Sequence, residues 1–303
     1  MKNRVKIARI LGILSVICLF FAFGIWFHIK TPEQKFENHA KFFEETYGIT
    51  ISVDNCPEEA REDYTLEFSD NLDKINYNLD TIAKCLEKIP TGLLEEINAA
   101  AYVTLVDGDY VHTSDPSQAV VKTPISSEKV MHLILCESVK RGNTEIGGYA
   151  CSGEYDNYII LSLGNENSIK GTFFHEFLHI LEKKSVHMLE CGRGGAFIGW
   201  DEYNPAGFKY SMNTNQYVIG ATENKNEVYF ISEYAKKNHD EDRAELFEYL
   251  MSLEDKSEFD ELMQYPNLKR KIEFMSACIM EAYPSITEEN CFQWQKWFGT
   301  SVE

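Results

Sequence analysis

The chain has 303 residues, 44% of them hydrophobic and 25% charged. These are ordinary globular proportions, which exclude wholesale disorder and leave room for one large domain or two small ones. Five of its 29 Lys and Arg residues, and none of its 48 Asp and Glu residues, fall in the first thirty positions, so the rest carries 24 bases against 48 acids. So acidic a body repels phosphate backbones and argues against nucleic-acid binding.

The amino terminus reads as a membrane signal. Lys2, Arg4, Lys6 and Arg9 precede the uncharged run ILGILSVICLFFAFGIWF at 10–27. As a helix this run rises roughly 27 Å, close to the hydrocarbon thickness of a bilayer. Trp26 and His28 suit the far interface, and Lys30 can snorkel outward. The expectation is a cytoplasmic basic tail over 1–9, a transmembrane signal anchor over 10–29, a stalk over 30–35 and an extracellular domain over 36–303. Secretion after signal cleavage is the alternative. Its one small-x-small site, Ala22-Phe23-Gly24, lies inside the apolar run. Beyond the anchor stand Cys56, Cys85, Cys136, Cys151, Cys191, Cys278 and Cys291, with no C-x-x-C pair to make a thiolate zinc finger or a thioredoxin-like site. Cys136/Cys151 and Cys278/Cys291 are spaced to close short loops, but spacing does not fix connectivity, and the plainer reading of buried thiols or structural bridges is preferred.

Phe36, Ala40, Phe43 and Tyr47 have helical spacing up to Gly48, and 49–53 reads as a strand. Ser69 or Asp70 can cap a helix with the stripe Leu72, Ile75, Leu79, Ile82, Leu86 and Ile89, stopped by Pro90. Runs at 102–106, 130–135 and 158–163 are β-branched or aromatic and suggest a small, largely antiparallel sheet. An apolar helix follows over 172–182. Glycines and aromatics at 188–222 read as long loops. The chain beyond Glu233 reads as helical, its last clear stripe being Leu268, Ile272, Met275 and Ile279. Helices, then sheet, then helices make an α+β chain, divided for description into 36–165 and 166–303.

The chemistry sits in the 172–182 helix, where His175-Glu176-Phe177-Leu178-His179 is an HExxH motif. Residues i and i+4 share a helix face, so His175 and His179 can aim imidazole nitrogens at one metal. Glu176, about 100° around the helix, sets a carboxylate beside the metal's water. A catalytic zinc site needs a third protein ligand. The best candidates lie in SEYAKKNHDEDRAELFEYL at 232–250, where Glu241 and Glu245 share one face. One carboxylate can bind the metal while the other accepts the free N–H of a ligating His. Either can take either part. Tyr234 offers a phenol that can donate to a developing oxyanion. His187 and His239 are further histidines within reach, each more in keeping with the surface.

HEFLH followed at a distance by YAKKNHDEDRAE resembles the glutamate-type zincins, or gluzincins. It is most similar to the anthrax-lethal-factor-like and "putative zinc-binding metallopeptidase" families, whose pattern is near Y-A-x-x-N-x-x-E-D/F-F-A-E. The pattern falls on Tyr234, Ala235, Asn238, Glu241, Asp242, Ala244 and Glu245, and the resemblance covers 160–253. It implies a zincin-like fold, one Zn²⁺ on His175, His179 and Glu241, Tyr234 as oxyanion donor and Glu245 supporting a ligand. Arg243 departs from it, standing where the family has an aromatic. Cys151 lies upstream of HExxH, as in a peptide deformylase, but YACSGEY lacks that family's motif.

The expected function is a membrane-anchored extracellular zinc metalloendopeptidase acting on a peptide or protein substrate, with Glu176 as general base. The alternative is a catalytically inactive, peptidase-like extracellular module that binds or senses a ligand.

Overall fold

A computed structural model describes residues 30–298, apart from 62, 100, 107–108, 114–122, 127–128, 154–155, 165–168, 190–196 and 213–215. The expected tail and anchor, 1–29, lie outside the described residues, as do 165–167, which read in the sequence as a loop capping the motif helix. No helix among the described residues is long and apolar enough to cross a membrane.

The first helix among the described residues, α1 (Pro32–Tyr47), begins inside the expected stalk. Thr31 and Gln34 form a reciprocal capping box, and Pro32 takes the first helical position, where its missing N–H costs nothing. Gly48, at φ 64°, closes the helix in the left-handed region. Residues 32–35 of the expected stalk are therefore helical. A short helix, α2 (Glu58–Arg61), precedes α3 (Leu72–Leu86), which is capped by Asn71 and not by Ser69 or Asp70. After α4 (Leu93–Asn98) comes the long α5 (Ile169–Leu189) that carries HExxH. The helical carboxyl-terminal part holds α6 (His239–Ser252), α7 (Lys256–Leu262), α8 (Pro266–Ala282) and α9 (Gln293–Lys296).

The strands are β1 (Ile49–Ser52), β2 (Tyr64–Glu67), β3 (Ala101–Val106), β4 (Asp109–Thr113), β5 (Thr123–Ser126), β6 (Val130–Cys136), β7 (Ser138–Arg141), β8 (Thr144–Ile146), β9 (Gly148–Ser152) and β10 (Asp156–Ser162). They form three sheets, in the orders β1-β6-β10-β9, β2-β7-β8 and β4-β3-β5. This corrects the expectation of one largely antiparallel sheet. The 102–106 strand belongs to a separate sheet, and β6 runs parallel to both β1 and β10; within the central sheet only β9 is antiparallel to its neighbour. The reason is burial on both faces. Met131, Leu133, Leu135, Ile159 and Leu161 face the main core, while Ile134, Cys136, Tyr158 and Ile160 face a second core beneath β2 and β7. Strands covered on both faces are unbroken apolar runs, which is the habit of parallel strands.

The main core packs α1, α3, α5, α6 and α8 on that sheet. From α5 it takes Phe173, Phe174, Phe177, Leu178, Ile180 and Leu181, all essentially buried. At about 1.5–3 kcal/mol for each fully buried side chain of this kind, these residues hold the motif helix in place. Cys56, Cys85, Cys136, Cys278 and Cys291 are free, buried thiols, and Cys151 is buried as well. The two spaced pairs therefore form no bridges: Cys136 and Cys151 stand on β6 and β9 with β10 between them. Cys191 lies outside the described residues.

Candidate metal centre

Two helices build the centre. On α5, His175 and His179 project from one face, their ring centroids 5.0 Å apart. Facing them is α6, whose start is fixed by Asn238: its Oδ1 accepts the N–H of Glu241 at 2.9 Å. That cap puts Glu241 in the first turn, with Glu245 and Glu248 one and two turns further along the same face.

The carboxylates separate onto different nitrogens. Glu241 Oε2 lies 3.0 Å from Nε2 of His175 and 3.7 Å from Nε2 of His179. One ligand atom from each of His175, His179 and Glu241 falls within 4.8 Å of the others. Glu245 instead meets the opposite side of His175, its Oε1 3.4 Å from Nδ1. Of the two arrangements open in the sequence, the geometry thus sets Glu241 among the inward-facing nitrogens and Glu245 behind a histidine. Tyr234 stands on the rim, 41% exposed, and its hydroxyl donates to Glu241 Oε1 at 3.2 Å. Glu176 is buried at the base of the site.

Two imidazoles and one carboxylate with inward-facing atoms match the donor set of a catalytic zinc site. Each histidine also has a carboxylate at Nδ1, with Glu182 Oε2 lying 3.7 Å from that atom of His179, which leaves Nε2 for a metal. Among the described residues no fourth His, Cys, Asp or Glu joins the set. The residues therefore fit a zinc ion with an open position better than a closed structural site.

The chain's own ionisable groups are strongly coupled. Burial opposes the charged imidazole of His175, but Glu241, Glu245 and Glu248 outweigh it and push its pKa up to about 12. Burial is likewise overcome at His179, which Glu182 and Glu241 raise to about 9. Glu241 is held well below the usual carboxylate range: burial would raise it, but His175, His179 and Lys237 prevail. Burial raises Glu176. A sign follows for metal uptake. At pH 7, below both raised values, the imidazoles carry protons that must leave before Nε2 can ligate. Zinc binding at pH 7 should therefore release up to two protons, and affinity should climb as pH rises from 6 to 8. Calorimetry in buffers of differing ionisation enthalpy checks this; a heat independent of the buffer would contradict it.

No family model matches the chain, and no curated protein is similar to it. Among solved structures, the chain is similar to a protein of Bacteroides caccae described as a "putative zinc-binding metallo-peptidase", at 15% identity and a TM-score of 0.44. The alignment covers 89% of this chain and 92% of that one. A likeness so distant assigns no residue here.

Several contributors have no motif of their own. Lys237 donates to Glu241 Oε1 at 2.5 Å and to the Tyr234 hydroxyl at 2.8 Å, so Oε1 is occupied while Oε2 faces the histidines. Arg243 is buried, hydrogen-bonds Glu182 and Asp240, and lies 5.2 Å from the Phe197 ring centroid and 5.9 Å from that of Trp200. It lies over two aromatic rings and holds the carboxylate behind His179. Glu182 was not singled out in the sequence, although an acid three residues after His179, on the same helix face, is a signal for it. Arg243 carried no such signal, because its partners come from distant segments. Of the other histidines, His239 is exposed beside Asp240 and His132 pairs with Asp156 on the central sheet. The side chain of His187 is outside the described residues. Cys151 is packed in the second core, so it joins no metal group.

Proposed function

We propose that this chain is a zinc metalloendopeptidase, held to a membrane by residues 10–29 with its catalytic part outside. The observation that carries the reading is the convergence of His175, His179 and Glu241 within 4.8 Å, on two helices whose sequence separation gives no local reason to meet. Bound zinc supplies Lewis acidity, polarising a carbonyl and acidifying water.

The chain's own residues do the rest. Glu176, buried and raised in pKa, takes a proton from the attacking water and passes it to the leaving amine. Glu241 would hold the metal through Oε2, its other oxygen being tied to Lys237 and Tyr234. Tyr234, partly exposed, turns from Glu241 to donate to the oxygen of the cleaved carbonyl. An extended peptide needs a free strand edge. The strand directly before the motif helix, β10, is paired on both sides, so its neighbour β9 offers the edge. Lys183, one turn beyond His179, donates to the Ala150 carbonyl of β9 at 3.1 Å, and an incoming peptide N–H competes for that oxygen.

The test is cleavage-site profiling of a peptide library with the purified chain, with and without a zinc chelator. Cleavage at defined bonds that chelation stops, and zinc restores, is the expected result. One equivalent of bound zinc without cleavage would favour the inactive binding module.

A further inference from the structure

His175 has a second carboxylate behind it. Glu248 Oε2 lies 3.4 Å from Nδ1, the same separation as Glu245 Oε1. The two acids are held differently. Glu245 is tied to the segment bearing Tyr234, because Ser232 donates to its other oxygen at 2.5 Å and accepts the N–H of Ala235 at 3.1 Å. Glu248 reaches back across α5 to a place one turn before His175, where the residue is Gly171. A Cβ built at Gly171 would overlap Glu248 Oε1 and sit 3.1 Å from its Cδ. Gly171 stands in the first turn of α5, one turn before His175 on the same face. The missing side chain is the carboxylate's seat.

We infer that Glu248, seated against Gly171, is a positioning residue for the metal ligand His175: with Glu245 it shares the Nδ1 hydrogen and holds the ring so that Nε2 faces Glu241 and His179. The inference rests on the zinc reading above. One carboxylate behind a ligating histidine fixes its tautomer and strengthens it as a donor. Two, approaching from successive turns of α6, also stop the ring from tilting toward either. Glu245 alone would leave His175 free to follow the Ser232 segment.

The experiment measures zinc affinity of the full chain by competition with a chromogenic chelator, for wild type, Glu248→Gln, Glu248→Ala, Gly171→Ala and the double variant Gly171→Ala/Glu248→Ala. Glu248→Gln should weaken zinc binding by about 10- to 100-fold. Gly171→Ala should do the same by evicting the carboxylate. In the double variant the methyl group enters vacated space, so its affinity should stay within about twofold of Glu248→Ala. The ¹⁵N signal of His175 Nδ1 in the zinc-loaded protein should move in Glu248→Gln, which a purely structural role would not require. Thermal melting of the zinc-free variants separates misfolding from lost affinity. Wild-type affinity in Glu248→Gln, or independent effects of the two sites, would overturn the inference and leave the zinc reading standing. A wild-type chain that binds no zinc would overturn both.

Discussion

Glu176→Gln is expected to lower turnover by about 10²- to 10⁴-fold, the range for loss of a positioned general base, while zinc affinity stays close to wild type. The separation of the two effects is physical. Glu176 is not among the three converging ligand residues, so an amide there removes no donor from the metal. It removes the acceptor for a proton from water, and an amide of the same shape cannot carry that proton to an amine. Burial away from bulk solvent also keeps water from substituting for the missing carboxylate. His175→Ala and Glu241→Ala should differ in kind, losing metal and turnover together. Single-turnover kinetics beside metal analysis tells these cases apart, and undiminished turnover in Glu176→Gln would remove the catalytic claim.

Lys271→Met is expected to destabilise the fold by about 3–5 kcal/mol, the usual cost of stripping one partner from a buried ion pair. The Lys271 ammonium is fully buried, 2.7 Å from Asp242 Oδ2 and 4.1 Å from the Phe230 ring centroid. The same Asp242 oxygen accepts Trp200 Nε1–H at 2.8 Å and the Tyr210 hydroxyl at 3.0 Å. Burial pushes Asp242 up and Lys271 down, and the pairing offsets both. Without Lys271, Asp242 keeps two neutral donors but no counter-charge. Native domains are stable by about 5–15 kcal/mol, so the loss is a large share of the whole. Asp242 adjoins Glu241 on α6, so the knot also ties the 200–210 loops to the back of the ligand helix. Calorimetric and urea unfolding of the two proteins measures the cost. A difference below about 1 kcal/mol would mean that the pair is not held as described.

What was legible in advance was local. The stripes of α1, α3, α5 and α8 follow from side-chain period, and the i, i+4 rule puts His175 and His179 on one face. Pairing was not legible, because the runs at 130–136 and 156–162 say only that both strands are buried, and parallel neighbours are joined through distant chain. The start of the first described helix was not legible for a local reason: Thr31, Pro32 and Gln34 make a capping box, which goes unseen when Pro32 is weighed alone.

The sequence by itself determined a helix able to offer two imidazoles to one cation with a carboxylate beside them, and a second helix bearing acids at successive turns. These depend only on the geometry of a single helix. Tertiary structure alone decided which acid faces which nitrogen, that Glu182 with Arg243 stands behind His179, and that Glu248 fits where Gly171 has no side chain. Those arrangements are set by the distance and rotation between α5 and α6. The core on both sides of them fixes that relation, and no local spacing records it.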